Sequence, residues 1–510
     1  AGARYELKDV EIKTGRLEIG KPVDLELAFS ADSSEPAVSG GLAFDGTLVY
    51  DLEQQQYAAN DLKLTVKAAG AGIPLALENA TLTGNVNADM QKQLITVAGL
   101  TLTAKGEGGE ELPVKDFAAE LAGSELLVNL AAQTVLLDKL TFNAKGTGSD
   151  ALPVSRFAAE LSGGLNVNLE AQQLSVNGLS LQADANGQGD LPIETIAATL
   201  SGDVDMDMAG QTLSVAGLKL TAKGKGTDDL PAKNFDATVG GDLSANLSEM
   251  LFSLLDLDVK VNADGKELPG EKVEATLTGA VNANMKTQSA SLSNFVFQAL
   301  DLKAAGTVSA NQLDTNPTLN GAVTVDTFNP RDLMAKLNIE PPVTNDPNVL
   351  KSVSFRTQLA GGANNIRLQG MELKLDDTFA KGSASVADFS APSPSIGFDL
   401  VVDKFNADRY LAPTPENAAK ESGDKPKGGS GEDVNETPVE LGFLEPLKID
   451  GKAQIGEFRI NNLDLSNVRA GVQANNGVVQ LEPIALQLYG GNLQGNAQVD
   501  VRNGQKKITA

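Results

Sequence analysis

The chain contains no histidine, no cysteine and no tryptophan, and aromatic residues fill only 4% of its 510 positions. Without imidazole or thiol there is no ready general base near neutral pH, no thiolate nucleophile, and none of the nitrogen and sulfur sets that hold transition metals. An enzyme, a cofactor and a metal site are therefore not expected. The scarcity of large rings, which usually dominate cores of this size, leaves aliphatic and small residues to line whatever interior exists. No run of 18 apolar residues occurs, so no helix is expected to span a bilayer. Acids outnumber bases to give a net charge of −26, which repels nucleic acid phosphates. The absence of cysteine leaves the redox compartment open.

Repetition is what the chain has instead. A Leu-Pro or Ile-Pro pair recurs at Pro74, Pro113, Pro153, Pro192, Pro231 and Pro269, at intervals of 39, 40, 39, 39 and 38 residues. A fixed period of this size marks a stacked repeat architecture. Aligned on the prolines, the copies share Ala80, Ala119, Ala159, Ala198, Ala237 and Ala275, then a leucine or valine, then Gly84, Gly123, Gly163, Gly202, Gly241 and Gly279. A second segment alternates as Val86, Ala88, Met90; Leu126, Val128, Leu130; Leu165, Val167, Leu169; Val204, Met206, Met208; Leu243, Ala245, Leu247; and Val281, Ala283, Met285, with mostly Asn, Asp and Ser between. The third carries Leu100 and Leu102, Leu140 and Phe142, Leu179 and Leu181, Leu218 and Leu220, and often ends in Lys-Gly, as at Lys105-Gly106.

Period-two alternation means strands with one apolar and one polar face. If each glycine marks a turn, a copy holds three or four strands, and six copies extend roughly 85 to 115 Å at about 4.8 Å per strand. A parity slip between Val176 and Leu179 predicts a bulge or turn at Asn177-Gly178.

No stretch between Ile73 and Val308 has a helical period, so the apolar faces must look at one another across a gap. Either the protein's own side chains fill that gap or lipid acyl chains do. The candidate lining comprises the leucines and Phe142 of the third segment together with Leu126, Val128, Leu130, Leu165, Val167, Leu169, Val204, Met206, Met208, Leu243, Leu247 and Val281.

The expected layout is N-terminal strands over 1–73, six repeats over 74–308, a β segment with short capping helices over 309–412, a flexible loop over 413–438 and a final β segment over 439–510. Asn329-Pro330-Arg331-Asp332 reads as a helix start, with Asn capping and Pro at the first turn, and Asp403 to Leu411 echoes it. Asp203, Asp205 and Asp207 mimic the opening of a calcium loop, but Met208 stands where glycine is needed and strand alternation accounts for them.

Leu463-Asp464-Leu465-Ser466-Asn467-Val468, then Gly477 to Pro483, then Leu488-Tyr489-Gly490-Gly491 resembles the C-terminal signature of the AsmA family of Gram-negative envelope proteins. Phe328-Asn329-Pro330-Arg331-Asp332-Leu333 and Phe398-Asp399-Leu400-Val401-Val402-Asp403 look like that family's preceding segment. The likeness covers about residues 320 to 510, and the repeats read as an expansion.

The resemblance implies a mainly β fold: a long repetitive antiparallel sheet curled into a taco-like groove with an apolar interior, plus a few short helices. It implies a periplasmic protein held at the inner membrane by an N-terminal helix absent from this chain. Its partners would be phospholipid, the membranes at one or both ends and other envelope proteins. The implied function is bridge-like transfer of phospholipid between inner and outer membranes. The alternative is a non-enzymatic envelope scaffold or outer-membrane assembly factor with a self-filled β core.

Overall fold

The computed structural model describes residues 4–16, 18, 20–70, 73–108, 113–391, 393–413, 448–500, 502 and 507–509. The loop expected over 413–438 lies outside them except for Pro413. The structure is mainly β, with 73% strand and 3% helix, and divides into two compact units, 1–274 and 275–510.

The first unit holds β1 (Tyr5–Thr14), β2 (Val23–Ser34), β3 (Ala37–Asp51), β4 (Gln56–Ala69), β5 (Leu75–Asp89), β6 (Leu94–Gly108), β7 (Val114–Asn129), β8 (Thr134–Gly148), β9 (Val154–Asn168), β10 (Gln173–Gly187), β11 (Ile193–Asp207), β12 (Thr212–Gly226), β13 (Asn234–Asn246) and β14 (Leu251–Asp264). Each pairs antiparallel with the next. The resulting layer is open, curled without closing on itself.

Each repeat is therefore one long hairpin of two strands, not three or four short ones, and adds about 10 Å to the stack. The glycines misled because they serve for their missing Cβ and not as turns. A Cβ on Gly123, Gly202 or Gly241 would stand 2.9 Å from a side-chain carbon of Leu137, Val215 or Leu254. On the Lys-Gly glycines Gly106, Gly146 and Gly224 it would stand 2.9, 2.8 and 2.4 Å from a ring carbon of Phe117, Phe157 and Phe235. Neighbouring carbonyls, 2.0 Å away at Gly106, 2.5 Å at Gly146 and 2.6 Å at Gly241, share that space with the aliphatic tips and rings, so the strand continues past each glycine.

The real turns lie elsewhere. At one rim an Asx residue closes each hairpin: Asn129 Oδ1 accepts the Ala132 N–H (2.9 Å), Asn168 that of Ala171 (2.8 Å) and Asp207 that of Gly210 (2.8 Å). The turn ends on a glutamine in the left-handed region, as at Gln133 (φ 49°) and Gln172 (φ 54°), a conformation uncommon outside glycine. Successive turns are stitched together, with Leu169 N–H on the Gln133 carbonyl (2.9 Å) and Met208 N–H on that of Gln172 (2.9 Å). At the opposite rim the proline signature finds its reason. The carbonyls of Pro113, Pro153 and Pro192 accept the N–H of Ser149, Gln188 and Thr227 at 3.0, 3.0 and 3.2 Å, an exchange that needs no N–H from proline.

The bulge expected at Asn177-Gly178 is present: the register shifts between Val176 and Leu179, and Gly178 has φ 60°. It belongs to a column. Equivalent irregularities stand between Ala59 and Leu62 and between Val215 and Leu218. The neighbouring strand pins them, Asn85 Oδ1 taking the Asp61 N–H (2.8 Å), Asp203 Oδ1 that of Gly178 (2.6 Å) and Asp242 Oδ1 that of Gly217 (2.7 Å). Bulges bend the strand that carries them, so a stacked column creases the layer along one line.

The second unit holds β15 (Lys272–Asn284), β16 (Ser289–Ala299), β17 (Leu302–Asn311), β18 (Thr318–Phe328), α1 (Pro330–Lys336), β19 (Val353–Gly362), β20 (Asn365–Leu375), β21 (Thr378–Ala387), β22 (Ser395–Asn406), α2 (Ala407–Tyr410), β23 (Lys448–Ile460), β24 (Leu463–Asn475), β25 (Val478–Leu488), β26 (Gly491–Asp500) and β27 (Lys507–Thr509). Pairing is again sequential and antiparallel, except that β22 and β23 run parallel. Both expected helices form. Asn329 caps α1, its Oδ1 accepting the Arg331 N–H at 3.0 Å.

The helices and their flanks form a polar lock. Arg409 Nε donates to Asp346 (2.8 Å) and its Nη1 to Asp377 (2.7 Å), while the Tyr410 hydroxyl donates to Asp376 (2.8 Å). Asp376 also accepts the N–H groups of Leu350, Lys351 and Ser352 at 2.7, 3.0 and 3.1 Å. The Phe405 ring stacks on Tyr410 (5.1 Å) and on Phe458 (6.3 Å), fixing α2 against the parallel pair.

Candidate functional site

Register turns the apolar alternation of the first unit into continuous ribbons. The central one runs Ile12, Leu27, Phe44, Leu64, Leu82, Leu102, Leu121, Phe142, Leu161, Leu181, Leu200, Leu220, Val239, Val259, with each residue the direct cross-strand partner of the next. One strand contributes one residue, from β1 to β14. A second ribbon links Val86, Val97, Leu126, Leu137, Leu165, Val176, Val204, Val215, Leu243 and Leu254, and a third contains Val128, Val167 and Met206. Leu100, Leu140, Leu179 and Leu218 lie opposite Gly123, Gly163, Gly202 and Gly241, in a row where large and absent side chains alternate.

The residues singled out from the sequence thus share one face, with two qualifications. Leu130, Leu169, Met208 and Leu247 sit in the rim turns and are exposed there. Val281 belongs to the second unit, on β15 opposite Leu292.

No member of the central ribbon is buried, and Leu102 and Leu220 are 39% and 44% exposed. Among the described residues the first unit has no α-helix, only a 3₁₀ turn at Pro269–Glu271, so no helix of its own covers the ribbons. The other face is polar, as in the cross-strand series Thr103, Glu120, Asn143, Glu160, Gln182, Thr199 and Thr221.

A concavity of about 550 Å³ is lined by Lys105, Lys145 and Arg156, by Glu107, Asp116 and Asp184, and by Phe117 and Phe157. Bases and acids interleave there, so it favours neither sign of ligand. Among the described residues no cluster of acids is placed to hold a metal ion. In the calcium look-alike, Asp203 pins the bulge and Asp207 closes the turn.

Several ionisations are perturbed together in the polar lock. Burial raises the Asp376 carboxyl, but the Tyr410 hydroxyl and three backbone N–H groups outweigh it and the net shift is downward. The Asn348 N–H and Arg409 hold Asp346 low. Burial and the hydrogen bond to Asp376 push the Tyr410 phenol up. These groups join α2 to the loop after α1 and to the β20–β21 turn. Sequence reading found the two helices but not this cluster; the only signal was the repeated Phe-Asn with a nearby Arg and Asp.

A stack of amphipathic hairpins presenting an unbroken aliphatic face defines a repetitive β-sheet protein of the groove-forming kind. The chain belongs to the AsmA family, whose model matches residues 168–510. The match begins well before residue 320 and includes the later repeats, so these are part of the family pattern and not only an expansion beside it. Membership is consistent with a role in lipid transport or in the cell envelope. No curated protein and no solved structure matches the chain. Among the described residues no helix is long and apolar enough to cross a membrane.

Proposed function

We propose that the protein binds phospholipid acyl chains along the apolar face of its first unit and passes them between the inner and outer membranes. In this reading it works in the periplasm, attached to the inner membrane through a helix outside this sequence, as the family resemblance implies. The observation that carries the reading is the central ribbon, fourteen cross-strand partners long and nowhere buried. Covering the exposed part of each side chain is worth about 1 kcal/mol, so one ribbon offers on the order of 10 kcal/mol to an apolar occupant. That equals a typical net folding stability of about 5 to 15 kcal/mol. Acyl chains match the demand because they need no hydrogen bonds and can slide from strand to strand. The sequence holds no nucleotide-binding motif, so transfer is diffusive and its direction is imposed from outside.

The test is photocrosslinking from a reactive amino acid placed at Leu179 or Leu220 in cells. Adducts with the mass of a phospholipid are expected at both positions. Products consisting of protein alone would support a self-filled scaffold instead.

A further inference from the structure

We propose, on the reading that the apolar face of the first unit holds phospholipid, that acyl chains enter and leave it sideways, across the rim closed by the Asx turns. The aliphatic side chains of those turns form the lip they cross. Each turn places one large aliphatic residue directly after the Asx: Met90, Leu130, Leu169, Met208 and Leu247. Their N–H groups donate to the carbonyls of Gln55, Gln93, Gln133, Gln172 and Gln211 at 2.8 to 3.0 Å. Leu94 pairs with Asn129, Thr134 with Asn168 and Gln173 with Asp207, so each of these bonds adds one further rung to a ladder. Side chains two apart on a strand share a face, which sets Leu130 beyond Val128, Leu169 beyond Val167 and Met208 beyond Met206. The apolar face therefore runs out to the last rung, where the five side chains are 41 to 60% exposed.

The opposite rim also carries an aliphatic residue on its hairpins, but tucks it in. Leu152, Leu191 and Leu230, each before a proline, are half-buried. A methyl carbon of each lies 3.1, 3.3 and 2.8 Å from where a Cβ on Gly148, Gly187 or Gly226 would stand, so these leucines fold back onto the strand that precedes them. Only the Asx rim presents its aliphatic residues outward.

Charge narrows what covers the lip. The five turns, 89–93, 129–133, 168–172, 207–211 and 246–250, hold Asp89, Glu170, Asp207 and Glu249 against Lys92 alone. A second copy of this rim, or an anionic bilayer surface, would bring like charge against it. An acyl chain brings none. A chain leaving a bilayer has to pass the polar backbone of the turns, and each methylene left in water on the way raises the barrier. One aliphatic side chain on every second strand, about 10 Å from the next, covers the methylenes as they cross. Methionine, at two of the five positions, adapts its shape to a moving chain. Exchange can then occur at any of these hairpins.

The experiment mixes the full chain with phosphatidylcholine vesicles doped with a self-quenched fluorescent phospholipid and follows dequenching as lipid passes to the protein. Leu130→Ser, Leu169→Ser and Met208→Ser combined should slow uptake more than about tenfold, and by a larger factor than any drop in the lipid held at saturation. Leu136→Ser removes a leucine as exposed as Leu130, but from the polar face, where it lies opposite Leu127 and Asn166; its uptake should keep the wild-type rate. A photoreactive residue at Leu169 in cells should give adducts of phospholipid mass. Wild-type uptake by the triple variant, equal falls in rate and in saturating content, or adducts to another protein at Leu169 would overturn sideways entry and leave lipid binding intact. A wild-type chain that takes up no lipid would remove both.

Discussion

Leu181→Asp is expected to strip bound phospholipid from the protein while leaving it folded. Leu181 stands within the central ribbon between Leu161 and Leu200, where a carboxylate would meet hydrocarbon with no partner. Placing an unpaired charge in an apolar setting costs several kcal/mol, so lipid occupancy should fall more than tenfold, the factor that about 1.4 kcal/mol produces. The fold tolerates the change because Leu181 is only half-buried and the carboxylate keeps water when lipid is gone. The matched control is Asn168→Asp at the rim. Its carboxylate can still accept the Ala171 N–H that Asn168 accepts at 2.8 Å, so lipid content should stay at wild-type level and stability within about 0.5 kcal/mol. Lipid extracted from both purified variants and quantified against wild type decides the matter; equal losses would remove the apolar ribbon from the mechanism.

Asp376→Ala should produce the largest loss of stability. One carboxylate accepts the Leu350, Lys351 and Ser352 N–H groups and the Tyr410 hydroxyl, and its removal strands all four donors. The expected cost is about 2 to 4 kcal/mol, or about 5 to 15 °C in the melting of the second unit, readable by scanning calorimetry.

The same cluster sets a pH dependence. Asp376, Asp346 and Asp377 all have lowered pKa values in the folded state. Their stabilisation is therefore fully present above the unfolded carboxylate range near 4 and is lost as pH falls through the lower folded values. The melting temperature should drop on acidification below about pH 4, and Asp376→Asn, which cannot titrate, should show a shallower drop. An unchanged acid slope would mean that Asp376 contributes nothing through its charge.

The hairpin array was legible because its information is local. A period of about 39 residues and strict alternation fix both the repeat and the face each residue takes, and the parity slip at Asn177-Gly178 marked a bulge the structure contains. What misread was the glycine. Sequence does not distinguish a glycine chosen for positive φ from one chosen because Phe235 or Leu137 occupies the place of its Cβ, and so one strand was divided in two. The rim leucines and methionines kept the apolar rhythm one step past the strand end, where the Asx turn had already begun. The Asp376 lock was invisible for another reason: it gathers Asp346, Asp376, Arg409 and Tyr410 from separate parts of the chain, and only tertiary pairing brings them together. The N-cap of α1, made by neighbouring residues, was read correctly.

The most direct measurement is native mass spectrometry of the purified chain, released gently from a cell extract. The expected spectrum shows the protein carrying several phospholipid masses that organic solvent removes. A single species at the bare polypeptide mass, from protein never exposed to detergent, would contradict a lipid-holding face and leave the hairpin stack as a rigid element of the envelope.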